Sequence, residues 1–418
     1  MNLPVIERDT DITELVRQIF VRAVAARASD VHIDPTPEDV RIRFRIDGAM
    51  VDEGTLPIVN LGNILTRLKV LAGLDIASRP VPQDGHCELE MDAIEQWARG
   101  AEAPQKEKVT EAPEVILRPT KRRVLDVRIS IFPTVNGEAI VCRLLNRSDM
   151  LFTLDDLGMD PVTLKKVRTA MMKSYGMMLV TGPTGSGKTT TLYSIIRETM
   201  GKEKNIITLE DPVEYRIVAI RLVQMQPERG LTFAVGMKSI LRQDPDVIMI
   251  GEIRDPETAE YAVRASLVGH NVFSTIHSNT TIGTVARLID MNIERSLIAY
   301  ALNGVISTRL VKKVCDGCKV FYMPADEYLK YFGLEPQANT FVTGKGCDRC
   351  NNTGYSGRIG IFEVLEFDNK LRAMIIDRVS MEDLQTYVEG VGMRTLKRDA
   401  IEKVLAGVTT IESVAHVV

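Results

Sequence analysis

Eight residues near the middle of the chain read Gly182-Pro183-Thr184-Gly185-Ser186-Gly187-Lys188-Thr189. They match the phosphate-binding loop (P-loop) pattern G-x-x-x-x-G-K-[ST], in which glycines let the backbone curl so that successive N–H groups point at phosphate oxygens. The apolar residues 177–180 before the loop predict a buried strand, and the residues after it predict a helix. Because a helix N-terminus adds positive charge, this strand, loop and helix predict a site for a nucleoside triphosphate.

The polar positions of the loop have separate expected roles. We expect Lys188 to reach the β- and γ-phosphates and the Thr189 hydroxyl to bind Mg²⁺. ATP and Mg²⁺ are therefore the expected cofactors. Contacts with the nucleotide are expected along the loop and the residue that follows it, namely Gly182, Pro183, Thr184, Gly185, Ser186, Gly187, Lys188, Thr189 and Thr190.

Short apolar runs alternate with helical patterns after residue 150. The runs cover residues 177–180, 206–209, 247–250 and 271–276. Parallel strands that are covered by helices on both faces give this pattern, since both faces of each strand are buried. We therefore predict an α/β domain over residues 149–311, of the RecA-like P-loop NTPase type.

Acidic residues follow two of these runs. Glu252 follows residues 247–250, and Glu210 with Asp211 follows residues 206–209. Ligands of an open parallel sheet bind at the carboxyl ends of its strands, so Glu252 and Glu210 are predicted to hold the Mg²⁺ shell or to orient the attacking water. His277 follows a third run and is predicted to polarise the γ-phosphate, with a buried structural histidine as the alternative.

A site that hydrolyses a triphosphate also needs positive charge near the transition state. Arg242 and Arg254 flank the strand that carries Glu252, although an exposed surface pair is an equal alternative for them. Arg128 and Arg143 lie on the two strands of a hairpin earlier in the chain. These four arginines complete the set of predicted catalytic residues.

Residues 1–148 predict a smaller α+β domain. Residues 11–27 place apolar side chains at helical spacing, and residues 40–46 alternate strictly between apolar side chains and arginine. Asp47-Gly48 predicts the turn of one hairpin, and residues 124–131 and 138–145 predict another. Residues 99–114 are polar and contain two prolines, so they predict a surface loop.

Four of the six cysteines form two C-x-x-C pairs, Cys315 with Cys318 and Cys347 with Cys350. This spacing lets four thiolates surround a tetrahedral Zn²⁺, with a redox pair or free thiols as alternatives. We predict a structural zinc site in a subdomain over residues 312–362, where the metal closes the segment 319–346. Cys87 and Cys142 stand apart and are predicted to be buried free thiols.

The composition limits the possible classes of protein. Hydrophobic residues make up 45% and charged residues 26%, with a net charge of −4, which excludes disorder for most of the chain and argues against a nucleic-acid coat protein. No run approaches the ~20 apolar residues of a membrane-spanning helix, and the N-terminus lacks a signal pattern. A cytoplasmic protein is expected, with residues 363–418 as its C-terminal helical region.

In their order along the chain, these motifs resemble those of the secretion ATPases of type II secretion and type IV pilus assembly. Residues 28–33 and 43–48 resemble the second N-terminal domain of that family, which is PAS-like. Four further segments resemble its Asp box, its Walker B segment, its His box and the second half of its four-cysteine element: residues 208–215, 242–255, 269–277 and 347–358.

The resemblance implies a hexamer that hydrolyses ATP to power assembly of a pilus or pseudopilus, with nucleotide between the two domains. It implies that the protein acts on an inner-membrane platform protein and cytoplasmic assembly partners. Through these partners the protein would be bound peripherally to the inner membrane, and it would bind no nucleic acid stably. Arg128 and Arg143 match the family's first-domain arginines that face the phosphates, and Arg242 and Arg254 match arginines of its nucleotide domain. The chain departs from the family at Lys238 (usually Arg) and Thr308 (usually Gln), and it does not match the further N-terminal domain of many members.

Three alternatives stay open on the sequence alone. A pilus-retraction or DNA-uptake motor belongs to the same superfamily, although relatives of that kind generally lack the four cysteines. A non-hydrolysing, nucleotide-gated scaffold is a second alternative, against which Lys188, Glu210 and Glu252 argue. A nucleic-acid translocase is disfavoured by the net charge of −4 and by the absence of a basic tract with aromatic residues.

Overall fold

A computed structural model describes residues 12–77, 81–90, 124–146, 152–200, 204–215, 217, 219–336 and 340–418. The chain divides into two compact units, Met1–Met150 and Leu151–Val418. The predicted surface loop at residues 99–114 lies outside the described residues. The four-part division predicted at residues 148, 311 and 362 stays a prediction.

The described part of the first unit contains one antiparallel sheet of six strands in the order β3-β2-β1-β6-β5-β4. Turns at Asp47-Gly48 and at residues 135–136 close the two predicted hairpins. The strands are β1 (Ala28–Pro35), β2 (Asp39–Ile46), β3 (Ala49–Pro57), β4 (Gln83–Glu90), β5 (Val124–Thr134) and β6 (Gly137–Asn146).

Two helices, α1 (Ile12–Ala25) and α2 (Leu61–Ala72), share an apolar core with this sheet. The alternation in β2 explains the packing, because Val40, Ile42 and Phe44 are buried whereas Arg41 is exposed. Cys87 and Cys142 belong to the same core, and burial raises the pKa of Cys87 to about 11 and raises the pKa of Cys142 further. They are buried thiols, as predicted.

A buried ion pair joins α2 to the start of β6. Lys69 Nζ lies 2.9 Å from Glu138 Oε1, with 2% and 10% of the two side chains exposed. Replacing Lys69 with methionine is expected to lower the free energy of unfolding by about 3–5 kcal/mol, because it removes the ammonium group from a carboxylate inside the core. Chemical denaturation of the full chain measures this change.

The matched control is Arg41→Met, which removes the cation of an exposed pair with Asp52 in the same sheet. It should leave the denaturation midpoint unchanged, because exposed pairs are screened by solvent. Adding Glu138→Leu to Lys69→Met should restore most of the lost stability, since the buried charge is then removed. Equal effects of Lys69→Met and Arg41→Met would contradict the prediction.

The second unit contains a sheet of seven described strands in the order β15-β12-β7-β11-β10-β8-β9. Five neighbouring pairs are parallel, and only β15 runs antiparallel to its neighbour. Its strands are β7 (Gly176–Thr181), β8 (Ile206–Glu210), β9 (Arg221–Gln224), β10 (Val247–Ile253), β11 (Asn271–Ile276), β12 (Leu302–Val314) and β15 (Tyr355–Glu366). The four predicted apolar runs lie in β7, β8, β10 and β11, so the α/β prediction is confirmed.

Helices cover both faces of this sheet and form two apolar clusters with its strands. Side-chain caps mark several helix starts; the Asp160 carboxylate, for example, accepts the backbone N–H of Val162 at 3.0 Å. The helices are α3 (Pro161–Met171), α4 (Lys188–Thr199), α5 (Phe233–Ile240), α6 (Pro256–Leu267), α7 (Thr281–Asp290), α8 (Arg295–Ala301), α10 (Asn369–Ile376), α11 (Met381–Gly390), α12 (Leu396–Leu405) and α13 (Ile411–Ala415).

The segment between β12 and β15 forms a small lobe beside the sheet. It contains β13 (Lys319–Phe321), α9 (Asp326–Phe332) and β14 (Val342–Gly344), with β13 and β14 paired antiparallel. Its α9 packs in one apolar cluster with α12 and α13. Within the described ranges, no helix has both the length and the apolar character needed to cross a bilayer.

Candidate functional site

The phosphate-binding loop connects the buried strand β7 to α4. Gly185 and Gly187 have φ of +76° and +96°, a region that favours glycine, and this conformation turns the backbone into the helix. A Cβ atom at Gly182 would lie 2.6 Å from the carbonyl oxygen of Thr308, so this position has room only for glycine. The tip of the loop and the Thr189 side chain are exposed. The loop therefore has the backbone shape and the accessibility that a phosphate chain requires.

Lys188 begins α4 and lies over the loop. Its Nζ donates to the carbonyl oxygens of Gly182 at 2.8 Å and Pro183 at 3.0 Å. Burial lowers the pKa of Lys188 and the nearby Arg309 lowers it further, whereas Glu252 raises it. Lys188 is thus close enough to Glu252 for their charges to interact. This is the position expected of a lysine that binds phosphates beside a catalytic carboxylate.

Glu252 lies near the carboxyl end of β10, and only 18% of its side chain is exposed. It forms an ion pair with Arg254, and its Oε2 lies 3.4 Å from Nε2 of His277. Burial raises the pKa of Glu252, but hydrogen bonding and charge from Arg254 and His277 outweigh it, so the net pKa is lowered. Glu252 is therefore held as a carboxylate, the form that can accept a proton or bind the Mg²⁺ shell.

Hydrogen bonds between neighbouring strands hold this cluster in place. The Thr275 hydroxyl donates to the carbonyl oxygen of Gly251 at 2.7 Å, which ties β11 to β10 beside Glu252. The Thr181 hydroxyl lies 3.0 Å from the carbonyl oxygen of Ile276 and 2.8 Å from that of Ser278, the two residues on either side of His277. The structure thus brings Lys188, Glu252, Arg254 and His277 together at one end of the sheet.

Glu210 lies at the end of β8, but it is buried and only 2% exposed. Both of its carboxylate oxygens accept hydrogen bonds, one from the Tyr193 hydroxyl and the other from the Thr208 hydroxyl at 2.7 Å. Burial raises the pKa of Glu210, although these hydrogen bonds oppose the increase. In this arrangement Glu210 holds α4 and β8 together, and its catalytic role stays a prediction.

The remaining predicted cations have contacts within their own units. Arg242 is exposed and donates to the carbonyl oxygen of Lys238 at 3.0 Å. Lys238 itself pairs with Glu257 at 2.8 Å. In the first unit, Arg128 and Arg143 are partners in register on β5 and β6, and Arg143 also pairs with Asp30. Their predicted contacts with phosphate stay predictions.

Thr308 and its neighbours support the phosphate-binding loop, a role that no motif in the sequence indicates. Because β12 continues past the last residue of β7, it runs alongside the phosphate-binding loop. The Thr308 hydroxyl donates to the carbonyl oxygen of Ser186 at 3.1 Å, and Leu310 lies under Gly187. The departure from glutamine noted at position 308 therefore places a short hydroxyl side chain against the back of the loop.

The four clustered cysteines form a candidate metal centre. Their four sulfur atoms lie within 4.8 Å of one another, and three of the separations are 3.8 Å. Four ligands that surround Zn²⁺ tetrahedrally at ~2.3 Å lie ~3.8 Å apart, so the donor set and its geometry fit this ion. Burial raises the pKa of Cys350, but backbone N–H groups of Cys347 and Gly354 donate to its sulfur, and the net effect lowers the pKa of this thiol.

Comparisons with known proteins show the family to which this chain is similar. The family described as "Type II/IV secretion system protein" matches residues 6–110 and 101–416. The type IV pilus assembly ATPase PilB of Myxococcus xanthus is 41% identical over 97% of this chain, which covers 68% of that relative. Type II secretion system protein E of Pseudomonas aeruginosa is 38% identical over 98% of this chain and 76% of its own length. PilB of Thermus thermophilus is 40% identical over 96% of this chain, which spans 42% of that relative.

Solved structures share the fold. The X-ray structure of the Legionella pneumophila ATPase DotB has a TM-score of 0.68 at 19% identity and covers 100% of this chain and 98% of its own. The crystal structure of the pilus retraction motor PilT with bound ADP has a TM-score of 0.61 at 23% identity and covers 96% of both chains. The predicted P-loop NTPase fold with a smaller N-terminal α+β domain is thereby confirmed.

Proposed function

The chain belongs to the type II/IV secretion system protein family, and we propose that it is an ATPase that powers assembly of a pilus or pseudopilus. The observation that carries this proposal is the grouping of Lys188, Glu252, Arg254 and His277 around a glycine-rich loop at the carboxyl ends of β7, β10 and β11. This grouping combines a phosphate-binding loop with a carboxylate and cations, as phosphoryl transfer to water requires.

Each group has a chemical task in the proposed reaction. The backbone N–H groups of the loop and Lys188 bind the phosphates of ATP, and the Thr189 hydroxyl binds Mg²⁺. Glu252 orients the attacking water and accepts its proton, while Arg254 and His277 hold that carboxylate in position. Mg²⁺, when bound, neutralises the charge that develops on the phosphates.

The four-cysteine lobe has a structural task in this proposal. Four sulfur ligands would leave no open coordination position for catalysis, so Zn²⁺ would hold β13, α9 and β14 together. Assembly is favoured over retraction as the function, since relatives named for pilus assembly are about 40% identical to this chain and the likeness to PilT is one of fold.

The proposal also covers the oligomeric state of the protein, its partners and its location in the cell. We propose a homo-oligomer, a hexamer as in the resemblance above, that acts on an inner-membrane platform protein and its cytoplasmic assembly partners. The protein would then be cytoplasmic and bound to the inner membrane through these partners. Support comes from relatives named for type II secretion and pilus assembly and from the lack of a membrane-spanning helix among the described residues.

The test uses the host cell and the purified chain together. A host whose gene carries Lys188→Ala should lose surface pili or secretion of its exported proteins, while the variant protein accumulates normally. An increase in surface pili would instead indicate a retraction motor, because unretracted fibres would accumulate. In purified form the wild-type chain should hydrolyse ATP only when Mg²⁺ is present, and a chain that binds ATP without turnover would indicate a nucleotide-gated scaffold.

A further inference from the structure

Arg309 is a buried arginine directly behind the phosphate-binding loop, and the residue is 9% exposed. Three of its nitrogen atoms donate to backbone carbonyl oxygens: Nη1 to Thr308 at 3.0 Å, Nη2 to Asn279 at 2.8 Å and Nε to Val417 at 3.2 Å. Among the described residues, no carboxylate lies within ion-pair distance of its guanidinium group. Within the described part of the chain, this charge is therefore buried with hydrogen bonds but without a counterion.

A buried charge of this kind is costly unless another group balances it. Burial lowers the pKa of Arg309 and the charge of Glu363 opposes this, but Glu363 already accepts the backbone N–H of Thr281 at 3.1 Å and the Thr281 hydroxyl at 2.7 Å. Lys188 is close enough to Arg309 for the two positive charges to affect each other. Two cations thus adjoin the same loop, and a polyphosphate bound there would supply the missing negative charge.

The three carbonyl groups that Arg309 contacts belong to three separate parts of the unit. Thr308 backs the phosphate-binding loop through its bond to Ser186, and Asn279 follows His277 by two residues. Val417 belongs to the segment of residues 411–418, which we call the terminal segment. Arg309 is therefore the point at which the loop, the residues after His277 and the terminal segment meet.

The terminal segment also contacts the cysteine-containing lobe. The Tyr322 hydroxyl donates to Glu412 Oε2 at 2.6 Å, and the Tyr331 hydroxyl donates to the carbonyl oxygen of Val418 at 3.2 Å. Val414 and Leu329 lie in the same apolar cluster. A change in how the terminal segment docks would consequently change its contacts with the lobe.

We propose that Arg309 is a positioning residue that couples nucleotide binding at the phosphate-binding loop to docking of the terminal segment. Bound phosphate stabilises the buried guanidinium group, and the guanidinium group in turn holds the Val417 carbonyl. The inference rests on the proposed function only through nucleotide binding. By linkage, docking of the terminal segment must raise nucleotide affinity by the same factor by which nucleotide favours docking.

The test compares hydrogen exchange in the full chain with and without ADP and Mg²⁺. In the wild type, amides of residues 411–418 should exchange about 5- to 100-fold more slowly when nucleotide is bound. Arg309→Met should remove this difference and weaken ADP binding by a similar factor. Arg309→Lys keeps the charge but cannot bridge three carbonyl groups. The slowing of exchange at residues 411–418 by nucleotide should therefore be smaller than in the wild type and larger than in Arg309→Met.

Kinetics separate this role from a general loss of structure. Arg309→Met should raise KM for ATP more than it lowers kcat, because it weakens binding without touching the reacting atoms. Arg358→Met, on the neighbouring strand β15 and exposed, is the matched control and should behave as the wild type. An Arg309→Lys variant with full wild-type coupling would contradict the role of the three carbonyl contacts.

The outcomes for the two proposals differ. Binding of a fluorescent ADP analogue to the wild type with no change in exchange at residues 411–418 would overturn the inference and leave the proposed function intact. Failure of the wild type to bind the analogue would overturn the proposed function. Retention of nucleotide-dependent protection in Arg309→Met would overturn the inference alone.

Discussion

Glu252→Gln is expected to lower kcat for ATP hydrolysis by about 10²- to 10⁴-fold, the usual contribution of a positioned general base. Glutamine preserves the size of the side chain and removes the negative charge that Arg254 and His277 hold in place. ATP affinity should stay the same or increase, because a carboxylate beside Lys188 no longer repels the phosphates. Steady-state turnover and equilibrium binding of ATP with Mg²⁺ measure the two effects.

The matched control is Glu260→Gln, which changes an exposed acid on α6 that pairs with Arg264. Its turnover should equal that of the wild type. Turnover of Glu252→Gln at the level of Glu260→Gln would show that another group activates the water. A parallel loss of ATP binding and turnover would instead assign Glu252 to nucleotide binding.

Loss of the four-sulfur site is expected to have the largest effect on stability. Structural zinc contributes about 10–16 kcal/mol of apparent binding free energy in small metal-dependent folds. The lobe formed by β13, α9 and β14 has strands of only three residues each, so we expect it to depend on this energy. Cys350→Ser should therefore lower the zinc content from one ion per chain to nearly none and expose residues 319–346 to proteases.

The control for this change is Cys142→Ala, since Cys142 lies in the core of the first unit. That variant should retain its zinc even if its stability falls. A chelator that removes zinc from the wild type should reproduce the protease sensitivity of Cys350→Ser. Unchanged protection of residues 319–346 after metal removal would contradict a structural role for the ion.

Contiguous patterns of sequence predicted the fold and the center of the site. The apolar runs at β7, β10 and β11 are each followed by residues that can bind phosphate or transfer a proton. Parallel pairing of these strands places Lys188, Glu252 and His277 at one edge of the sheet. The alternation in β2 predicted its buried face in the same way. Both signals are local, since they depend on the periodicity of one element and on one rule for the edge of a sheet.

Contacts between distant residues were not predictable. Glu210, like Glu252, lies at the carboxyl end of its strand, yet one of its oxygens accepts a hydrogen bond from the Tyr193 hydroxyl of α4. Arg242 flanks the Glu252 strand in sequence, but its side chain turns back to Lys238. The contact between Arg309 and Val417 joins residues 108 positions apart, and no periodicity connects them.

The pairing of β12 with β15 has a consequence for how this protein could change over time. Val314 and Tyr355 are partners in register, so the chain leaves the large sheet and rejoins it at adjacent points. The cysteine-containing lobe between these two strands is thus an insertion. It could be lengthened, exchanged or deleted without a change in the order of the strands in the large sheet. A lineage could gain or discard this accessory module while the nucleotide machinery beside it kept its architecture.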